Sequence, residues 1–143
     1  MTNSNKPTTL FWIIGVAALI WNGLGVMSYI GQAFMTDEVK AALPETERAL
    51  YENIPAWVTA AFAIAVFAGL LGSIFLLARK KAARFVFLIS LIAILAQMSY
   101  NLFMSKAAEV YGPGGVIMPV MVILIGVFLL MYSKKAIEKG WLS

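Results

Sequence analysis

Polar and apolar positions along this chain fall into long blocks. Charge-free stretches run from Pro7 to Thr36, Asn53 to Ala78, Phe85 to Ser105 and Val110 to Ser133. Each holds about 18 or more mostly apolar residues, enough for a helix to cross roughly 30 Å of hydrocarbon. The pattern places spans near Leu10–Met35, Trp57–Ala78, Phe85–Met104 and Val116–Ser133. Little is left for a soluble domain. The expected fold is a single all-α integral membrane domain of residues 1–143, a four-transmembrane-helix bundle. The first span reads as a retained helix, because its apolar run is long and no A-x-A site follows it.

Inside the spans, small and polar residues fall into stripes. Gly15, Ala18, Asn22, Gly25, Tyr29 and Gln32 recur at intervals of three and four, which puts them on one face of the first helix. Ser90, Ala93, Gln97, Tyr100 or Asn101, and Met104 do the same on the third. Ala61, Ala65, Gly69 and Ser73 form a small-residue ridge on the second, which permits close helix approach. The fourth span is bulkier, with Gly126 its clear small residue, so packing is expected through the first three and lipid exposure on the fourth.

The four amides need partners that lipid cannot provide. Asn22 and Gln97 each lie twelve residues from the expected start of their span. At 1.5 Å per residue that is roughly 18 Å, near mid-membrane. Gln32 and Asn101 belong near the outer rim. Two readings stay open. As packing groups, such amides fix helix register at about 0.6 kcal/mol each. As a site, Trp21 beside Asn22 in LIWNGLG supplies an aromatic ring next to amides, suited to a neutral polar ligand such as a sugar. The candidate ligand-binding set between the first and third spans is Trp21, Asn22, Gln32, Gln97, Tyr100 and Asn101. The candidate packing set is Gly15, Ala18, Gly25, Ala61, Ala65, Gly69 and Ser73. Trp12, Trp57 and Trp141 read as interfacial.

Charge then orients the bundle. Residues 36–56 carry five acids against two bases, a net −3. Eight of the eleven basic residues, Lys6 included, fall on the opposite side, in the loop RKKAAR and the segment after the fourth span. Lys and Arg accumulate in short cytoplasmic loops, which predicts both termini inside and the acidic loop outside. The overall +4 is thus a topology signal, with no basic soluble face for nucleic acid. The basic loop also suits anionic lipid headgroups. In the outer loop, Pro44 opens PETERALYE with acids in its first turn, as the helix dipole prefers. Leu43, Leu50, Tyr51 and Ile54 would face the bilayer, making a short surface helix.

A phrase is written twice: MSYIGQAFMTDEV from Met27 and MSYNLFMSKAAEV from Met98. It aligns Gln32 with Asn101 and Thr36 with Ser105, and falls where each odd span reaches the outer surface. A duplicated helical hairpin and shared interfacial demands both explain it.

Composition excludes much chemistry. Cysteine and histidine are absent, which removes disulfides, thiol nucleophiles and the commonest metal ligand. No Asp, Glu, Lys or Arg lies inside a span, which argues against a proton- or ion-driven transporter. There is no phosphate loop or dinucleotide fingerprint, and GPGG at 112–115 reads as a turn, with Pro119 in the first turn of the last span. We expect no enzyme activity, cofactor or metal.

WIIGVAALIWNGLGVMSYIGQAFMTDE, ALYENIPAWVTAAFAIAVF and QMSYNLFMSKAAEVYGPGG resemble a family of small bacterial four-span proteins labelled "sugar transporter" or hypothetical. The resemblance covers nearly the whole chain and implies a Gram-negative inner membrane. It transfers no functional residue. The expected function is binding or facilitated passage of a small neutral solute, with a homo-oligomer enclosing any pathway. The competing expectation is a non-catalytic accessory subunit of a larger membrane complex.

Overall fold

The computed structural model describes residues 6–52, 54–104, 109–110, 112 and 114–143. Within them, four helices are long and apolar enough to cross a membrane. The first, α1, spans Thr9–Ala33; Thr8 Oγ1 caps it by accepting from the Phe11 amide at 3.2 Å. Two short helices follow. In α2, Asp37–Ala42, Thr36 Oγ1 accepts from the Val39 amide, and Asp37 and Glu38 occupy the first turn. That helix was not anticipated. In α3, Glu45–Glu52, the Pro44 carbonyl accepts from the Arg48 amide at 2.9 Å, so proline opens the turn as expected. Leu43, Leu50, Tyr51 and Ile54 are all half-buried there.

The second long helix, α4, spans Ala56–Leu77 and starts directly after Pro55. The third, α5, spans Ala82–Ser99 and continues as a π-helical turn, Tyr100–Met104. The last, α6, spans Gly114–Glu138. The chain is therefore an all-α, multi-pass membrane bundle. Gly114 and Gly115 already belong to α6, so Pro119 lies in its second turn rather than its first. Ser105, Lys106 and Pro113 lie outside the described residues.

Both helix ends at the basic side close in the same way. At the end of α4, the Arg79 amide donates to Leu76 O and the Lys80 amide to Phe75 O, with Arg79 at φ 60°. At the end of α6, the Gly140 amide donates to Ile137 O and the Trp141 amide to Ala136 O, with Gly140 at φ 77°. Each is a Schellman closure with its left-handed residue just past the helix. Glycine accepts that conformation freely; arginine does so at about 1 kcal/mol or more. α6 outlasts its apolar run, ending at Glu138 instead of Ser133, because Ala136 is fully buried against the terminal core.

Packing follows the ridge on α4. Ala61, Ala65, Gly69, Gly72, Ser73 and Leu76 are buried along it. α1 and α5 both pack on α4, the α4–α5 pair being the most extensive, and α6 lies against α5. A Cβ on Gly15 would meet Leu77, one on Gly25 would meet Val66, and one on Gly72 would meet the Phe87 ring. With no hydrophobic gain between helices in lipid, such close approach is what holds them together. α6 is the least covered span, and Leu10, Ile20, Leu24 and Met27 point outward from α1, as lipid contact requires.

The larger core lies at the basic end, where Phe11, Leu76, Ala83, Phe87, Leu129, Ala136, Trp141 and Leu142 cluster. Trp141 corrects the sequence expectation. It is buried to 8% exposure and meets Phe11 edge to face at 5.6 Å, because the turn at Gly140 folds it back under α1. Trp12 and Trp57 remain exposed. A smaller cluster of Ala65, Ala93, Ile94 and Met98 lies between α4 and α5.

Candidate functional site

The stripes place the polar groups of three helices around Gly69. Asn22 Nδ2 donates to Ala18 O on its own helix at 2.9 Å and to Ser73 Oγ on α4 at 3.2 Å. Ser73 Oγ donates in turn to Gly69 O at 2.9 Å. From α5, Ser90 Oγ donates to Ala65 O at 2.6 Å. The Asn22 carbonyl oxygen lies where a side chain on Gly69 would begin, and Ser90 Oγ borders the same point at 3.3 Å. Only glycine lets an amide from one helix and a hydroxyl from another meet the α4 backbone together. The result is a short polar seam whose donors are all used. It contains no group that titrates near neutral pH, so it can fix register but supplies no acid or base.

Gln97 is placed elsewhere. Ser90 meets Ala65 and Gly69, Phe87 meets Gly72, and Tyr100 stands edge to face with Trp57 at 6.1 Å. That antiparallel register puts Gln97 level with Ala61, two turns beyond Ser90. Two turns are about 10 Å. Asn22 therefore faces the α4 seam and Ser90 rather than Gln97, and the two amides do not form one site between α1 and α5. Counting from the ends of the apolar runs misjudged this. α1 reaches several residues further into the basic end than α5 does.

Gln97 is only 8% exposed, yet its amide has no hydrogen-bond partner among the described residues. Arg48 Nε, in α3, is fully sealed and has no partner among the described residues. Thr59 is half-buried nearby on α4, and Trp57 and Tyr100 form the aromatic pair one turn further out.

The other candidates are dispersed. Asn101, half-buried in the π turn, donates from Nδ2 to Met98 Sδ at 3.6 Å, a weak bond. Gln32 is half-buried near the end of α1, ten residues beyond Asn22. Trp21 is half-buried beside the seam, with no ring partner or hydrogen bond among the described residues. Tyr29, also on the α1 face, stands edge to face with Phe62 at 5.5 Å and Phe67 at 5.8 Å. Among the described residues no His, Cys, Asp or Glu cluster could hold a metal.

Sequence reasoning put Ser90 in the α5 stripe without assigning it a role. It missed the closure at the basic end entirely. There Arg79 Nε donates to Trp141 O at 2.8 Å, the Ser143 amide to Arg79 O at 2.9 Å, and the Lys81 amide to Ser143 O at 3.1 Å. The Lys-Gly-Trp of 139–141 was its signal, since glycine after a helix with basic residues in its last turn marks a Schellman end.

No protein-family model, no curated protein and no solved structure matches this chain.

Proposed function

We propose that this chain is a non-enzymatic membrane protein that binds a small neutral polar solute, sugar-like or amide-like, in the outer half of the bundle at Gln97. One observation carries the proposal: a primary amide nine-tenths buried and without a hydrogen-bond partner among the described residues. Leaving such a group unpaired costs about 1–3 kcal/mol, which a bound hydroxyl or amide would return. Asn22 has no donor to spare and serves packing. Trp57 and Tyr100 offer ring faces one turn beyond, the usual complement to a few oriented polar groups. With no Asp, Glu, Lys or Arg within the apolar runs of the spans, the favoured solute is uncharged and its passage is not proton-driven.

The basic loops favour cytoplasmic termini, and the family resemblance favours a bacterial inner membrane, so solute reaches Gln97 from outside, past α2 and α3. Four spans are few to enclose a path, and passage would use a homo-oligomer. The test is tryptophan fluorescence of the purified protein titrated with neutral sugars, polyols and small amides. A saturable response lost in Gln97→Leu is expected. No response to any neutral solute, or an unchanged response in Gln97→Leu, ends the proposal.

The accessory-subunit reading is favoured by Gly23 and Gly31 on α1, where a Cβ would meet no atom within 4 Å. Such open positions suit the close approach of a foreign helix. A defined hetero-complex on gentle extraction would favour it.

A further inference from the structure

We propose that the basic end of the bundle holds the headgroup of an anionic phospholipid, on the face shared by the α4–α5 turn and the last turn of α6. This site is independent of Gln97 and lies at the opposite end of the molecule.

Residues 79–84 and 134–139 together carry seven basic side chains and one acid, Glu138, a net +6. Lys80, Lys81, Arg84, Lys134, Lys135 and Lys139 are all exposed. The orientation of a membrane protein requires basic residues on this side, but it does not require them to be held together. Here they are. The Arg79 guanidinium to Trp141 O, the Ser143 amide to Arg79 O and the Lys81 amide to Ser143 O tie the α4–α5 turn to the chain just past α6. Beneath that tie, Ala83 and Ala136 are fully buried in one core. Lys139 is further fixed over the Trp141 ring at 5.6 Å. The two segments that carry the cations cannot drift apart, so an anion can meet both at once here, as it could not along a flexible tail.

Arg79 adds to this. It holds a left-handed backbone, φ 60°, that glycine would adopt without cost. Its side chain is what makes the tie to Trp141, which makes it a positioning residue for the cluster rather than a ligand. The anion present at this depth in a bilayer is the lipid phosphodiester, and polybasic segments beside spans are attracted to anionic lipid.

The test uses the full chain in a neutral detergent. It is titrated with phosphatidylglycerol, with phosphatidylcholine and with inorganic phosphate, and melting temperature and lipid retention are followed. Phosphatidylglycerol is expected to bind saturably and raise the melting temperature, while the other two leave it unchanged. The exposed-residue variant Lys81→Gln/Arg84→Gln/Lys135→Gln is expected to weaken binding by about fivefold per charge, on the order of a hundredfold in all. Lys40→Gln, at the other end, is expected to bind as the parent does. Equal effects of phosphatidylcholine, equal effects of free phosphate, or full binding by the triple variant would each overturn the assignment.

Discussion

Gly69→Ala tests the polar seam most sharply. The new methyl would overlap Asn22 Oδ1 outright, with Asn22 Cγ at 2.9 Å and Ser90 Oγ at 3.3 Å. Asn22 cannot swing aside cheaply, because its Nδ2 is held by both Ala18 O and Ser73 Oγ. Either α1 moves off α4 or the bond to Ser73 breaks. Overpacking of this kind costs about 1–3 kcal/mol. The lost interhelical bond adds about 0.6 kcal/mol. Against these, alanine returns about 1 kcal/mol of helix propensity. The net expectation is a destabilisation of about 0.6–2.6 kcal/mol. Gly23→Ala on α1 has open space around it and should be neutral or stabilising by up to about 1 kcal/mol. The assay is reversible unfolding in mixed micelles by titration with denaturing detergent, followed by helical circular dichroism. The two variants should move in opposite directions. If Gly69→Ala unfolds with the parent or with Gly23→Ala, three helices do not converge at Gly69.

Gln97→Leu should leave stability unchanged or raise it by about 1 kcal/mol in the same assay, since it removes a buried amide without a partner among the described residues; a loss of that size would show that the amide has a structural partner. At Arg79, alanine keeps the left-handed backbone and loses the bond to Trp141 O, whereas glycine loses only the bond. Arg79→Ala should therefore be less stable than Arg79→Gly by about 1 kcal/mol, and equal stabilities would refute the strain. Trp141→Ala should cost about 3–5 kcal/mol as a buried core truncation, measured by the same unfolding midpoint, while an interfacial tryptophan would cost much less.

The spans were legible because lipid imposes one requirement, length without charge, that the chain meets four times. Each predicted boundary falls within a few residues of the helix except at the end of α6. There a buried alanine directly after a lysine pair carries the helix on, and hydropathy cannot see tertiary burial. The α4 ridge was legible from spacing alone, since alanine and glycine every fourth residue have one geometric use in a membrane. The pairing of Asn22 was not. Spacing gives the face of a helix but not its axial register, and register here is set by the tight turn at Arg79 and by the depth of α1. The repeated phrase shows the same limit. In its first copy α1 stays α-helical to its end at Ala33, while in its second α5 passes into the π turn at Tyr100, and no residue preference separates the two. Burial without a partner, the property that singles out Gln97, exists only in three dimensions.

The most direct test of solute binding is native mass spectrometry of the protein extracted gently from its own membrane, beside Gln97→Leu prepared identically. The parent is expected to retain a small neutral polar molecule that Gln97→Leu lacks, with lipid retention equal in both. A parent that carries no such molecule, or a variant that retains it in full, would contradict binding at Gln97.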